Sequence, residues 1–201
     1  MSTRYDSNVQ RGVHKGLTQE KILAESFAMV DAGGPSALTM RALAKRLDVA
    51  AMAIYNHYRD RDAILDALAE QVFSQLPRQG ASGRRGWKAR LRSIMYSARE
   101  FAARHPHVYR LAMTRPNKPA SAFELTEEAI GVLREAGLSE KQALMVYHTF
   151  VILLHGFPFW REGYERHAAL CTPIESVLTA ERQFASSVEW LLNAVAAAGG
   201  K

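Results

Sequence analysis

Two short stretches of this chain carry the same apolar interval, and a few residues separate them. Met40, Leu43, Ala44 and Leu47 recur at i, i+3, i+4 and i+7, and Ala51, Ile54, Tyr55 and Tyr58 repeat that spacing. A period of 3.6 residues puts each set on one face of an α-helix. Between them lies only the segment from Leu47 to Ala50. Two short helices joined by so brief a connection have the geometry of a helix-turn-helix. Thr39 is placed to cap the first of the pair. The second enters a major groove only if its outer face is small or polar. Met52, Ala53, Asn56 and His57 make that outer face, while Ile54 and Tyr58 point inward. Ala50, Ala51 and Ala53 are small enough to let the backbone approach base edges closely.

Helical periodicity continues on both sides. Ile22, Leu23, Phe27 and Val30 give an apolar face to a helix entered at Thr18 and ended by Gly33-Gly34-Pro35. Asp60 caps a fourth helix carried by Ile64, Leu65, Leu68, Val72 and Phe73, which ends before Pro77. A fifth runs from about Trp87 to about Arg104, and a short sixth lies between Pro106 and the segment TRPNKP. Ser121-x-x-Glu124 reads as a capping box for a seventh, stopped near Gly137. Ser139-x-x-Gln142 opens an eighth, apolar through Leu154 and broken by HGFPFW. Thr172-Pro173-Ile174-Glu175 opens a ninth, with Val177, Phe184, Val188, Leu191, Leu192 and Val195 on one face. No run alternates apolar and polar residues as a half-buried strand does. The expected fold is all-α, with about nine helices. Residues 1–17 form a flexible basic arm, 18–76 the helix-turn-helix domain, and 77–201 a second helical domain. The Gly- and Pro-rich stretch 77–86 marks the boundary.

Composition narrows the function classes. With 201 residues, 48% of them hydrophobic, the chain is long enough for a sizeable core and is not a disordered polymer. No stretch of 18 uncharged apolar residues suggests a membrane span, and residues 1–16 lack the apolar segment of a secretory signal. The single cysteine, Cys171, excludes an intramolecular disulfide framework and a cysteine-rich zinc site; a reducing cytoplasm fits. The net charge of +6 is unevenly spread: residues 1–99 carry +7 and residues 100–201 carry −1. That asymmetry points to a polyanion facing the first half, or to no more than a solubilising surface. Most of the surplus lies past the helix-turn-helix, in Arg78, Arg84, Arg85, Lys88, Arg90, Arg92 and Arg99. This run either adds long-range attraction to DNA or forms a solvated linker and helix face.

The segment LTMRALAKRLDVAAMAIYNHYRDR, Leu38 to Arg61, resembles the DNA-binding domain of the TetR family of one-component transcriptional repressors. That family combines Thr and Arg near the start of one helix with an Ala-x-x-Leu-Gly-Val turn. A recognition helix reading roughly Leu-Tyr-x-His-Phe follows, then two basic residues opening helix four. Here stand Thr39 and Arg41, then AKRLDV, IYNHY and RDR; the earlier segment ILAESFAMVDAGG is similar to the family's opening. The resemblance covers about residues 18–66. Asp48 stands where the family has Gly, and Asp tolerates the left-handed conformation better than most residues. Arg59 and Arg61 replace the usual lysine pair, which keeps the charge but not the geometry.

The resemblance assigns roles. Arg41 either reaches a guanine edge bidentately or rests on phosphate and solvent. Ala51, Met52, Ala53 and Asn56 face the groove, where Asn56 suits an adenine and Ala53 a thymine methyl. Thr39, Tyr55, His57 and Arg61 correspond to phosphate-contacting positions, with Arg59 beside them. Tyr55 also suits partial burial, with its hydroxyl reaching outward. A metal role for His57 is disfavoured, since no second ligand stands at helical spacing. Arg4, Arg11 and Lys15 form either a minor-groove arm or a solvated tail.

The second half is rich in aromatics and methionines, as an apolar cavity and an ordinary core both require. The candidates for contact with a small-molecule effector are Met95, Tyr109, Met113, Phe123, Tyr147, His148, Phe150, Val151, His155, Phe159 and Trp160. His148 and His155 share a helix face and are either effector contacts or satisfied core histidines. The family's last two helices pair two subunits. By that analogy Leu153, Phe157, Phe184, Val188, Leu191, Leu192 and Val195 are the expected dimer contacts. A dimer holding two recognition helices about 34–36 Å apart reads a palindrome in double-stranded DNA. The expected function is a ligand-responsive DNA-binding regulator, a homodimeric repressor released by a small apolar or aromatic effector. It needs no metal, cofactor or membrane. The alternatives are a helix-turn-helix protein without an effector, and an enzyme using Cys171 or the C-terminal histidines. No Gly-x-Ser-x-Gly, phosphate loop or His-Glu-x-x-His supports the last.

Overall fold

The structure, a computed structural model, describes residues 16–76, 86–116, 118–166 and 179–200. Among them are nine α-helices, one short 3-10 turn and no strand. In order these are α1 (Gln19–Gly33), the 3-10 turn (Pro35–Ala37), α2 (Met40–Arg46), α3 (Ala51–Tyr55), α4 (Arg61–Gln75), α5 (Trp87–Arg104), α6 (Pro106–Thr114), α7 (Ala120–Glu135), α8 (Glu140–Arg166) and α9 (Ala180–Gly199).

The helix starts follow local chemistry. Orphan N–H groups at a helix N-terminus need acceptors. Thr39 Oγ1 accepts from Ala42 N at 3.1 Å, and Asp60 Oδ1 accepts from Ala63 N at 2.8 Å. Thr18 and Thr179 do the same for α1 and α9. Ser139 and Gln142 close a reciprocal capping box on α8: Ser139 N donates to Gln142 Oε1 at 2.9 Å, and Gln142 N to Ser139 Oγ at 3.4 Å. Asp48 adopts φ 53° in the turn between α2 and α3, the left-handed conformation its position demands.

Two elements depart from the sequence expectation. Helix α7 opens at Ala120 behind Pro119, one residue before the expected Ser121 cap. Ser121 is buried instead, and its hydroxyl donates to the Glu70 carbonyl on α4 at 3.4 Å. Helix α8 does not break at HGFPFW; it continues through Pro158 to Arg166. A proline costs a helix one hydrogen bond and bends it, which packing on neighbouring helices can offset. The expected cap at Thr172–Glu175, together with Val177 and Cys171, lies outside the described residues, as does the proposed arm of Arg4, Arg11 and Lys15.

Two apolar clusters organise the interior. The first joins Ile22 and Val30 of α1 and Leu43 of α2 to Ile54 of α3 and Leu68 of α4. It then continues into Phe101 of α5, Val108 and Ala112 of α6, and Ala122 of α7. The second joins Leu91 and Met95 of α5 to Leu133 of α7, Phe150 and Phe157 of α8, and Phe184, Val188 and Leu192 of α9. Helix α5 belongs to both. The helix-turn-helix head is therefore seated on the body through a continuous core.

Candidate functional site

The head presents a compact exposed face. Thr39 and Arg41 at the start of α2, Met52 and Tyr55 on α3 and Asn56 at its C-terminal end are all exposed, with Ala51, Ala53 and His57 half-buried among them. Met52 is 70% exposed. The orientation is fixed from beneath, because Leu43, Ala44 and Ile54 are buried and Val49 N donates to Ala44 O at 3.0 Å. Thr39 caps α2 with an oxygen lone pair, which leaves its hydroxyl proton free to donate outward. Arg59 is exposed beside Asp60, with its Nε 3.1 Å from Oδ2.

Arg61 is placed differently from its neighbours. Its Nε donates to Leu38 O at 2.6 Å and its Nη2 to Pro35 O at 2.5 Å. The guanidinium thus ties α4 to the turn entering α2, and a phosphate could reach only what remains of it.

Helix α6 joins head to body. His105, which precedes it, sets Nδ1 2.9 Å from Asp31 Oδ2 on α1. The His105 ring stacks edge-on to Phe27 of α1 and lies tilted against Phe101 of α5, each at 5.1 Å. At the other end Arg115 is forked between two carboxylates of α4, with Nε 2.6 Å from Asp66 Oδ1 and Nη1 3.1 Å from Asp62 Oδ1.

Between α4, α5, α6, α7 and α8 lies a cavity of about 210 Å³. Of the expected contacts, Met95, Tyr109, Met113, Phe123, Tyr147, Phe150, Val151 and His155 line it. His148 and Trp160 are exposed and do not line it, and the side chain of Phe159 lies outside the described residues. His148 stands seven residues before His155 on α8, yet it is exposed while His155 lines the cavity. The walls are apolar, with few polar groups. Burial pushes the Tyr109 phenol up to about 12, with Tyr147 adding to the shift, so it stays protonated. Burial also holds His155 below its ordinary range, reinforced by the positive charge of Lys118, so the ring is neutral near pH 7. Thr126 Oγ1 and Tyr147 Oη are hydrogen-bonded at 2.7 Å. Lys118 and Thr126 are lining residues that sequence reasoning missed: one lies in an irregular connection and the other on a polar-looking stretch of α7.

The expected dimer contacts divide. Phe157, Phe184, Val188, Leu192 and Val195 are buried within the protomer, in the second cluster. Only Leu153 and Leu191 reach the outer face of α8 and α9. That face also bears Ile152 and Trp190, 70% and 71% exposed, with Thr149, Gln183, Ser186 and Ser187 between them.

Where it is described, the basic run is paired with groups on α7 and α9, and apart from Arg90 its members keep partial contact with solvent. Arg90, only 3% exposed, sets Nη1 2.5 Å from Glu135 of α7. Arg92 makes a two-pronged pair with Glu189 of α9 at 2.6 and 2.8 Å, and Lys88 donates to Asn193 at 3.2 Å. Arg99 pairs with Glu181 at 3.2 Å and covers the Phe184 ring at 5.0 Å. These cations fasten α5 to α7 and α9, and the acids they meet lie 45 to 97 residues distant. Arg78, Arg84 and Arg85 lie outside the described residues.

Comparison with known proteins agrees with this architecture. The profile described as "Bacterial regulatory proteins, tetR family" matches residues 22–68, and that described as "Tetracyclin repressor-like, C-terminal domain" matches residues 79–198. An HTH-type transcriptional regulator of Saccharopolyspora erythraea is 31% identical over 128 residues, 64% of this chain. The chain spans 54% of that relative, about half its length. The solved structure of Streptomyces coelicolor ActR in complex with actinorhodin superposes with a TM-score of 0.73 at 22% identity, covering 92% of this chain and 99% of that one. BioQ with its double-stranded DNA operator gives a TM-score of 0.67 at 21% identity, covering 90% and 99%. At such identities these two structures speak to the fold. The profile over residues 79–198 spans more than half of the sequence, and the motif at Thr39–Arg61 lies within the other: the chain belongs to the TetR family of bacterial regulatory proteins.

Proposed function

We propose that this chain is a ligand-responsive, DNA-binding transcriptional regulator that acts in the cytoplasm as a homodimer. It represses from a palindromic operator and is released by a small, largely apolar effector. The observation that carries the reading is that α6 touches both ends of such a device, while Phe73 of α4 lines the cavity as well. Tyr109 and Met113 of α6 line the cavity, while His105 and Arg115 at its ends hold α1 and α4 of the head. An occupant that displaces Tyr109 or Met113 therefore biases the head's position. The bias cannot exceed the occupant's differential affinity for the two head positions.

On the head, Arg41, Met52, Ala53 and Asn56 supply base-edge contacts. Thr39, Tyr55, His57 and Arg59 supply phosphate contacts, with Arg61 acting mainly to brace the motif. A second copy of the chain covers the Ile152–Trp190 face. On that face Ile152 of α8 and Trp190 of α9 are 70% and 71% exposed within the protomer, and a partner's helices would bury them. The relatives support this reading, since BioQ is seen with an operator and ActR with actinorhodin. The cavity itself favours effector control over a helix-turn-helix protein without a ligand.

The test is selection of bound sequences from a random duplex pool by the purified protein. The reading predicts an inverted repeat whose half-sites lie about 34–36 Å apart. Recovery of no enriched motif would contradict it.

A further inference from the structure

We infer that the cavity takes a hydrophobic monoanion, its acidic group against Lys118 and its apolar body directed toward Leu133 and Phe150. The inference rests on the reading of this cavity as the effector site. Lys118 is the one charged residue among the described lining. Its Nζ donates to Met113 O at 2.6 Å and to Ala112 O at 3.3 Å, at the C-terminal end of α6, and lies 5.9 Å from the Phe73 ring centroid. An ammonium has three protons, so these carbonyls leave one to donate. Among the described residues no carboxylate pairs with it, in contrast to the neighbouring Arg115. Lys118 is exposed at the edge of the cavity, and its partial desolvation there holds the ammonium below its ordinary range.

The other polar groups suit an anion. His155 also lines the cavity, edge-on to Tyr109 with centroids 6.1 Å apart. Held neutral, it can offer a ring N–H, and the protonated Tyr109 phenol can offer its hydroxyl. Thr126 and Tyr147 bond each other. The described lining contains no Asp or Glu. A cationic guest would face Lys118 with no carboxylate in the described lining to offset the repulsion, and a neutral guest would leave the third donor of the exposed lysine to solvent. A carboxylate or ionised phenol fills the third donor position with a charge-assisted hydrogen bond.

The test uses the full chain and three probes with one aromatic body: 2-naphthoate, 2-naphthamide and 2-naphthylmethylammonium. Affinities are measured by calorimetry on the wild type, Lys118→Met, Lys118→Arg and the cavity-filling Ala129→Leu. Naphthoate binds the wild type about tenfold more tightly than the amide, and the ammonium binds weakest. Lys118→Met removes the preference while the amide's Kd stays within about twofold, Lys118→Arg keeps the preference, and Ala129→Leu abolishes naphthoate binding. Equal affinity for acid and amide in the wild type, or a preference that survives Lys118→Met, overturns the anion inference and leaves the cavity reading standing. Naphthoate binding that survives Ala129→Leu places the acid elsewhere and overturns the inference. Binding of none of the probes to the wild type overturns both. Should Lys118→Met fail to fold, the wild-type ranking and Lys118→Arg still decide.

Discussion

Arg115 at the end of α6 sets its Nε 2.6 Å from Oδ1 of Asp66 on α4, while its Nη1 reaches Asp62 at 3.1 Å. One guanidinium thus clamps the body to the last helix of the head. Burial of the cation opposes its charge, and the two carboxylates more than offset this, so its pKa is raised. Arg115→Met keeps the stem and removes the fork. The expected loss of stability is about 1 kcal/mol, because Asp62 is largely solvated and discounts the pair. On the proposed coupling, the variant also binds a cavity ligand as the wild type does but transmits less of it to DNA. Denaturant unfolding checks the first effect, and ligand-dependent anisotropy of labelled operator checks the second. An unaltered ligand response would remove Arg115 from the coupling.

The end of α9 is packed so tightly on the α7–α8 turn that side chains are excluded. Gly137 has φ 97°, and a Cβ added to it would overlap the Gly199 carbonyl oxygen. A Cβ on Gly199 would overlap the Ala136 carbonyl oxygen in turn. Gly137→Ala and Gly199→Ala are each expected to destabilise by about 1–3 kcal/mol. Gly131, inside α7, meets nothing within 4 Å, so Gly131→Ala is expected to stabilise by about 0.5–1 kcal/mol. Urea midpoints of the three variants check this, and a neutral Gly199→Ala would show that the contact is not formed.

His155 gives stability a pH dependence of known sign. Its folded value lies below the ordinary 6.5, through burial and then the charge of Lys118. In the window between those values the unfolded chain binds more protons than the folded one. Stability therefore falls as pH drops below about 6.5 and is unaffected by this group above it. The ring is only partly buried, so the loss is expected to stay under about 1 kcal/mol per pH unit. Glu189, lowered by Arg92, acts in a separate window below 4.5. Unfolding at pH 7.5 and 5.5 for the wild type and His155→Phe measures the difference. An equal drop in both proteins would contradict the assignment.

What the sequence revealed and what it hid have physical explanations. Thr18, Thr39, Asp60 and Ser139 were legible as caps because a cap acts over three residues. Asp48 was legible because the tight turn needs a left-handed residue. Ser121 misled because its hydroxyl finds a carbonyl on α4 rather than its own helix. Pro158 misled because a proline removes one helical hydrogen bond and need not end the helix. Phe184, Val188, Leu192 and Val195 form an apolar stripe that periodicity cannot assign to the chain's own core or to a partner's. Trp190, off that stripe, faces outward instead. Arg90 and Glu135 are 45 residues apart, so no local pattern exposes their pairing.

The outer face of α8 and α9 yields a direct oligomer test. Trp190→Glu places a charge where the dimer reading buries an aromatic. The expected result is a shift from dimer to monomer in light scattering at micromolar protein, with the helical circular dichroism retained. Operator affinity falls with it, since one short recognition helix binds weakly. A Trp190→Glu dimer as stable as the wild type would move the interface elsewhere.

The central claim is tested most directly by titrating the selected operator and a scrambled duplex of equal length at physiological salt. The wild type is expected to prefer the operator by about a thousandfold or more, with affinity falling as salt rises. Arg41→Ala is expected to reduce that preference by about tenfold if it reads a base edge. Equal affinity of the wild type for both duplexes would contradict the account.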